Sequence, residues 1–152
     1  MKINTRMFGE IEIDEEKIIN FDLGIIGFDF LKKFTLIHDE DEEDNSVIWL
    51  QSLDEPAFAM PVMNPLLAMD NYNPSVEDEL FKNIGETDGD IIVFVTLTVP
   101  DKIENMTVNL RAPIIINPKT RKGCQIIVEE TEYLVKYPVY EALKANKQKG
   151  GE

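Results

Sequence analysis

Any chemistry in this chain has to come from very few side chains. His38 is the only histidine and Cys124 the only cysteine. A zinc site usually gathers several histidine or cysteine ligands, and one of each, far apart in the chain, does not make one. A serine triad would have to join His38 to Ser46, Ser52 or Ser75, and none of these serines sits in a G-x-S-x-G nucleophile elbow. His38, beside an acidic run, reads as a surface residue. Arg121 and Lys122 stand close enough in sequence to lower the pKa of Cys124; against this stands the commoner role of a small buried apolar side chain. Asp39 to Asp44 are consecutive carboxylates. A calcium loop counted from Asp39 would need glycine at its sixth position and a carboxylate at its twelfth, where Asp44 and Leu50 stand instead. The run reads as a solvated loop between strands or as an acidic knob facing a partner. Gly24 and Gly27 bracket two isoleucines but lack the Lys-Ser/Thr of a P-loop and the third glycine of a dinucleotide site. That loop reads as an apolar plug for one end of a barrel. Paired carboxylates in so acidic a chain say little about glycosidase-type chemistry. No catalytic, cofactor-binding or metal-binding residue is assigned.

The charge balance says more. Fifteen Lys and Arg stand against 29 Asp and Glu, a net charge of −14. Binding to phosphate backbones depends on cations that displace counterions, so direct nucleic-acid binding is not expected. A basic protein partner is easier to accommodate, because opposite fields speed encounter; the plainer reading is that acidity maintains solubility. The 152 residues fit one domain, large enough to bury roughly 70% of the surface its unfolded form exposes. No apolar run approaches the roughly 20 residues that cross a bilayer, and MKINTRMFGEIEI lacks the apolar block of a signal peptide. The expected location is the cytoplasm, with no membrane contact. A single cysteine allows no internal disulfide and suits a reducing compartment.

The elements that would position these groups are mostly strands. Lys2 to Thr5, Glu10 to Ile13, Ile18 to Phe21, Phe34 to Ile37, Val47 to Ser52, Ala57 to Val62 and Ile91 to Val99 read as strands, and Glu132 to Val135 as a further one. Leu53 to Pro56 joins one pair. Trp49, the only tryptophan, is core or groove wall. Ser75 and Asp78 resemble a capping box, followed by a helix with Val76, Leu80, Phe81 and Ile84 on one face and Gly85 at its end. The chain is organised around Asn105 to Val128. There Val108, Leu110, Ala112, Ile114 and Ile116 alternate with Thr107, Asn109, Arg111 and Pro113, the period of a half-buried strand. Asn117-Pro118 starts a turn, Gly123 can supply a positive φ, and Cys124 to Val128 runs back, giving a long hairpin with a basic tip. Pro113 has no backbone donor, so its strand must be an edge there or carry a bulge. Pro138 can open a helix over Val139 to Lys147, with a frayed tail from Gln148 to Glu152. Residues 1–138 form a β domain and 139–152 a C-terminal helix and tail. The fold class is all-β in the main, a barrel or sandwich with one or two short helices.

The string NMTVNLRAPIIINPKTRKGCQII closely resembles the signature of FliW, the flagellar assembly factor family. TRMFGEIEI near the start, GIIGF at Gly24 to Phe28 and WLQSLDEPAFAMPVMNP from Trp49 to Pro65 fit the same family. Several long matches in the right order, from Thr5 to about Pro138, are more specific than any short motif.

The resemblance implies a small antiparallel β-barrel and a binding protein rather than an enzyme. It implies two partners: flagellin, and the translational repressor CsrA, which the free protein binds and antagonises non-competitively with RNA. A flagellin groove is expected along Trp49, Gln51, Ser52, Asp54 and Pro56 and the outer face of the central hairpin, with Asn109 and Arg111 at its polar edge, because Thr107, Asn109 and Arg111 make a polar stripe on an otherwise apolar strand in segments that match the signature. Arg111 either serves that edge or pairs internally with a carboxylate. Asn64 and Asn117, in the matching segments, complete the set of partner-binding candidates. The alternatives are a flagellin chaperone without a regulatory role and a small-barrel flavin-binding enzyme.

Overall fold

The computed structural model describes residues 2–38, 47–74, 82, 84–85, 91–130 and 132–150. The acidic run from Asp39 to Asp44 lies outside them, as does the expected helix from Ser75 apart from Lys82, Ile84 and Gly85.

Strands β1 (Lys2–Thr5) and β2 (Gly9–Glu12) make a separate antiparallel hairpin. The remaining strands are β3 (Ile19–Asn20), β4 (Lys33–His38), β5 (Val47–Ser52), β6 (Ala59–Met63), β7 (Ile92–Thr98), β8 (Thr107–Val108), β9 (Ile114–Asn117), β10 (Lys122–Gln125) and β11 (Tyr137–Pro138). Seven of them close a ring in the order β7-β6-β5-β4-β3-β10-β9, with β9 pairing back onto β7. Strand direction alternates along antiparallel neighbours, so a ring with an odd number of strands must contain one parallel pair. It is β3 with β10, in register at Lys122 and Asn20. The expected barrel is therefore present, antiparallel everywhere except at this seam.

Alternation along the strands divides the apolar residues between two faces. Phe21, Phe34, Leu50, Val62, Phe94, Ile114 and Ile116 fill the interior. On the outside, Met63, Val95, Leu97 and Val108 are covered by Tyr72, Tyr133, Val139 and Leu143. Leu143 comes from the helix α1 (Tyr140–Gly150), so the C-terminal segment packs onto the barrel. The helix runs beyond the expected Lys147, there being no breaker before Gly150. A third cluster joins Ile84, Ile115 and Cys124. Ile115 is thus buried on the outer face of β9 while Ile114 and Ile116 are buried on the inner one, so β9 is covered on both sides rather than one.

The expected long strand is broken. Val108 pairs with Leu97, and Ile114 with Phe94. Residues 109 to 113 therefore stand opposite only residues 95 and 96, a wide bulge. The Asn109 carboxamide oxygen accepts from the N–H groups of Arg111 and Ala112, both at 3.1 Å, and takes the place of ladder bonds. Pro113, whose missing donor required an edge or a bulge, sits in it. The return strand differs too. The positive φ of the turn, 58°, belongs to Arg121; Gly123 is needed for space, since a Cβ there would lie 2.7 Å from the Phe21 ring. Glu132 to Val135 is a turn rather than a strand, and β11 beyond it pairs with β8 instead. Only Tyr133 of that segment is buried, so there is no face for a strand to cover.

Candidate partner-docking surface

The residues around β5 divide by face. Leu50 points into the barrel, and Trp49 and Gln51 point outward with their cross-strand partners Ile37, Pro61, Thr35 and Ala59. The β1–β2 hairpin lies over this outer face: Phe8 meets Trp49 edge-on at 6.0 Å, and the Arg6 N–H donates to the Pro56 carbonyl at 3.3 Å. Trp49 is half-buried as a result. Gln51 and Ser52 are fully buried and hold the turn that follows. The Gln51 amide nitrogen donates to the carbonyls of Ser52, Pro56 and Phe58, and the Ser52 hydroxyl oxygen accepts from the Glu55 N–H. The exposed Asp54 carboxylate accepts from the N–H groups of Lys32 and Lys33 at 2.6 and 2.9 Å, tying this turn to the entrance of β4.

The other candidates are elsewhere. Asn64 follows Met63, which pairs with Val47 at the opposite end of β5 from Ser52, a strand length of about 20 Å away. Its side chain accepts from the Leu66 N–H, and it borders an apolar groove of about 530 Å³ between Leu66, Tyr72, Val93 and Pro113. Asn109 and Arg111 form the bulge, where Arg111 Nε donates to the Tyr133 carbonyl at 3.0 Å. Asn117 is fully buried. Its nitrogen donates to the Ile84 and Gly85 carbonyls and its oxygen accepts from the N–H groups of Lys119 and Thr120, so it holds the hairpin tip against residues 84–85. Of the nine candidates, Trp49 to Pro56 come together, while Asn64, the Asn109–Arg111 pair and Asn117 occupy three separate places.

A feature that motif reasoning missed adjoins Asp54 and Pro56. In the loop after β3, Leu23, Ile26, Phe28 and Phe30 face solvent, and Phe28 packs against Phe58 at 4.7 Å. The signal was present in the density of large apolar residues around two glycines. Plugging the barrel end takes only Ile25 and Leu31, both buried in the core.

Burial pushes the Cys124 thiol up to about 11, so it stays protonated at neutral pH, and the nearby cations do not reverse this. Burial, with Tyr133 and Glu130 adding to it, raises the Tyr72 phenol well above its usual range; its hydroxyl donates to the Leu110 carbonyl at 2.6 Å. Among the described residues no three His, Cys, Asp or Glu side chains group as metal ligands, and no helix is long and apolar enough to cross a membrane.

The geometry is that of a closed scaffold with its polar side chains occupied in holding turns. The FliW protein family model matches residues 2–139. A protein from Lachnospira eligens named flagellar assembly factor FliW is 52% identical over 147 residues, 95% of this chain and 97% of its own. Its counterpart of the same name in Thermotoga neapolitana is 41% identical over 149 residues, 97% and 98% of the two chains. A crystal structure of the flagellar assembly factor FliW superposes with a TM-score of 0.83 at 35% identity, covering 91% of this chain and 96% of that one. With the match running from β1 to the start of the terminal helix, the chain belongs to the FliW family.

Proposed function

We propose that this protein is a flagellar assembly factor that works in the cytoplasm by docking protein partners one at a time and catalyses no reaction. One partner is flagellin. The other is CsrA, whose repression of flagellin translation it relieves. While flagellin occupies the protein, CsrA is free to repress; once flagellin is exported, the released protein captures CsrA. Capture is non-competitive with RNA, so it favours an RNA-incompetent form of CsrA. That requires different affinities for the two forms, and a swing from 1:99 to 99:1 takes roughly 10⁴-fold preference. The protein itself contacts neither nucleic acid nor membrane.

The observation that carries this reading is family membership over residues 2–139. The net charge of −14 supports it, because an RNA-binding repressor needs a partly basic surface and opposite fields favour its capture. The test is a competition assay in which the purified complex with CsrA is challenged with flagellin. Release of CsrA in proportion to added flagellin is expected. A stable ternary assembly, or no binding of CsrA at all, would overturn the reading.

A further inference from the structure

Strands β1 and β2 pair with each other and with no strand of the ring. A two-stranded hairpin standing alone in water is marginal at best, so the contacts that seat this one decide its behaviour. From Lys2 to Glu12 only Thr5 is buried, and its hydrogen-bond partners belong to the hairpin itself. The Thr5 hydroxyl donates to the Gly9 carbonyl and its oxygen accepts from the Phe8 N–H, both at 2.9 Å. One hydrogen bond among the described residues ties the hairpin to the barrel, from the Arg6 N–H to the Pro56 carbonyl at 3.3 Å. One ring contact accompanies it, Phe8 edge-on to Trp49 at 6.0 Å.

The chain changes character just after the hairpin. Ile13 is buried. The Asp14 carboxylate accepts from the Glu16 N–H and caps a 3₁₀ turn over Glu15–Lys17. Arg121 Nη1 donates to the Glu15 carbonyl at 3.2 Å. A weakly seated hairpin therefore joins a pinned segment at residues 12–13. Its seat also carries a cost. The Pro56 carbonyl that accepts from Arg6 accepts from Gln51 Nε2 as well, at 3.0 Å, which puts Gln51 beside the contact. Oε1 of Gln51 is buried with no partner among the described residues. An unpaired buried acceptor is unfavourable, so a movement that lets water reach it is favoured by that amount. Closure gains one ring pair and one long hydrogen bond, and the stranded acceptor opposes both.

We propose that the β1–β2 hairpin is a hinged strap, which lifts from β5 about residues 12–13 and uncovers Trp49 and Gln51 while the barrel stays folded. Proteins open in cooperative units at free energies below that of global unfolding, and units with few buried apolar contacts open first. In the closed position Phe8 is a built-in occupant of the Trp49 face. Anything else that takes that face must displace it, and binds with an apparent affinity reduced by the fraction of molecules in the open position. The device goes beyond the docking reading and does not rest on it.

The test is amide hydrogen exchange on the full chain over a urea series below the unfolding transition. The Arg6 amide should exchange at least about tenfold faster than the best-protected amides of β5 and β6. Its rate should depend weakly on urea, because lifting exposes far less surface than unfolding. The ladder amides of β1 and β2 should share its opening equilibrium, since a lifted hairpin keeps its ladder only marginally. Phe8→Ala should speed this whole set by about threefold or more, as loss of an edge-to-face ring pair implies. Leu143→Ala separates the strap from the barrel. Leu143 belongs to the outer cluster with Val95 and Val108, which contains no hairpin residue. Its truncation should speed the β5 and β6 amides by about thirtyfold or more and leave Arg6 at the parent's rate. If that variant fails to fold, the urea series on the parent decides alone. Arg6 exchange with the urea slope of the barrel amides, or accelerated equally with them by Leu143→Ala, would overturn the proposal. So would a gradient running inward from the Lys2 and Glu12 ends with Arg6 slowest, which is fraying and not lifting.

Discussion

Gln51 shows how a polar residue can be fully buried for a local purpose. Its nitrogen faces three carbonyls at 2.9 to 3.1 Å, which fixes the amide orientation, because the oxygen in that place would meet only acceptors. Its Oε1 is buried without a hydrogen-bond partner among the described residues. Gln51→Ala should leave those carbonyls short of donors and destabilise the fold by about 1–3 kcal/mol, read as a lower urea midpoint. Gln51→Glu should do at least as much, since a carboxylate would replace the donor. At Cys124 the prediction concerns pH. The folded thiol titrates near 11, above its ordinary value of 9.0. Its contribution is therefore complete below pH 9 and is lost as pH rises through 11. Chemical denaturation of the parent should show stability falling on the order of 2 kcal/mol across that window from this group, and Cys124→Ala should show a shallower fall. A thiol reagent should react slowly with the folded protein and quickly after denaturation. The reading of Cys124 as a buried apolar residue is available from sequence as the common role of a free cysteine, and Ile84 and Ile115 supply the apolar surroundings. The role of Asn117 is not, because its partners, Ile84 and Gly85, are more than thirty residues away.

Among the elements, those with uniform alternation were legible. β5 runs from Val47 to Ser52, the bounds its pattern gives, and the turn after it was marked by Pro56. The break at 109 to 113 was hidden for a physical reason: Val108, Leu110 and Ala112 remain buried, and Asn109 and Arg111 half-buried, straight through the bend. A bulge that preserves alternation cannot be told from a strand by alternation; Pro113 was the one residue that announced it. Asn109→Ala should remove both bonds that hold the bulge, at 3.1 Å each, and lower stability by about 1–2 kcal/mol, with faster hydrogen exchange confined to Arg111 and Ala112. In the loop after β3, Gly24→Ala meets both a left-handed φ and the Asp29 backbone. Its expected loss is larger, about 2–4 kcal/mol, visible as a lower melting temperature with the secondary structure retained.

For the molecule as a whole, net charge and mostly-strand architecture followed from composition and pattern, but the surface did not. The candidate residues were chosen because their segments match a family signature, and most of them hold turns. Gln51, Ser52 and Asn117 are buried, and the exposed apolar face lies beside the first two, reaching Phe58. Sequence marks where a chain is constrained, and a buried amide that fixes a turn is constrained as tightly as a contact residue. The charge carries a prediction of its own. Association with a basic partner should slow severalfold as salt rises from low to physiological strength, with dissociation little changed; a flat salt series would remove steering from the account.

The parallel seam between β3 and β10 has a consequence for biosynthesis. It sets residue 20 beside residue 122, so the cylinder stays open until residue 122 has left the ribosome. Pairings so distant along the chain slow folding, and until they form, β3 presents an unpaired margin to whatever is nearby. Maturation is therefore a late, all-together event, and a nascent chain stalled before Pro113 has no finished half to fall back on.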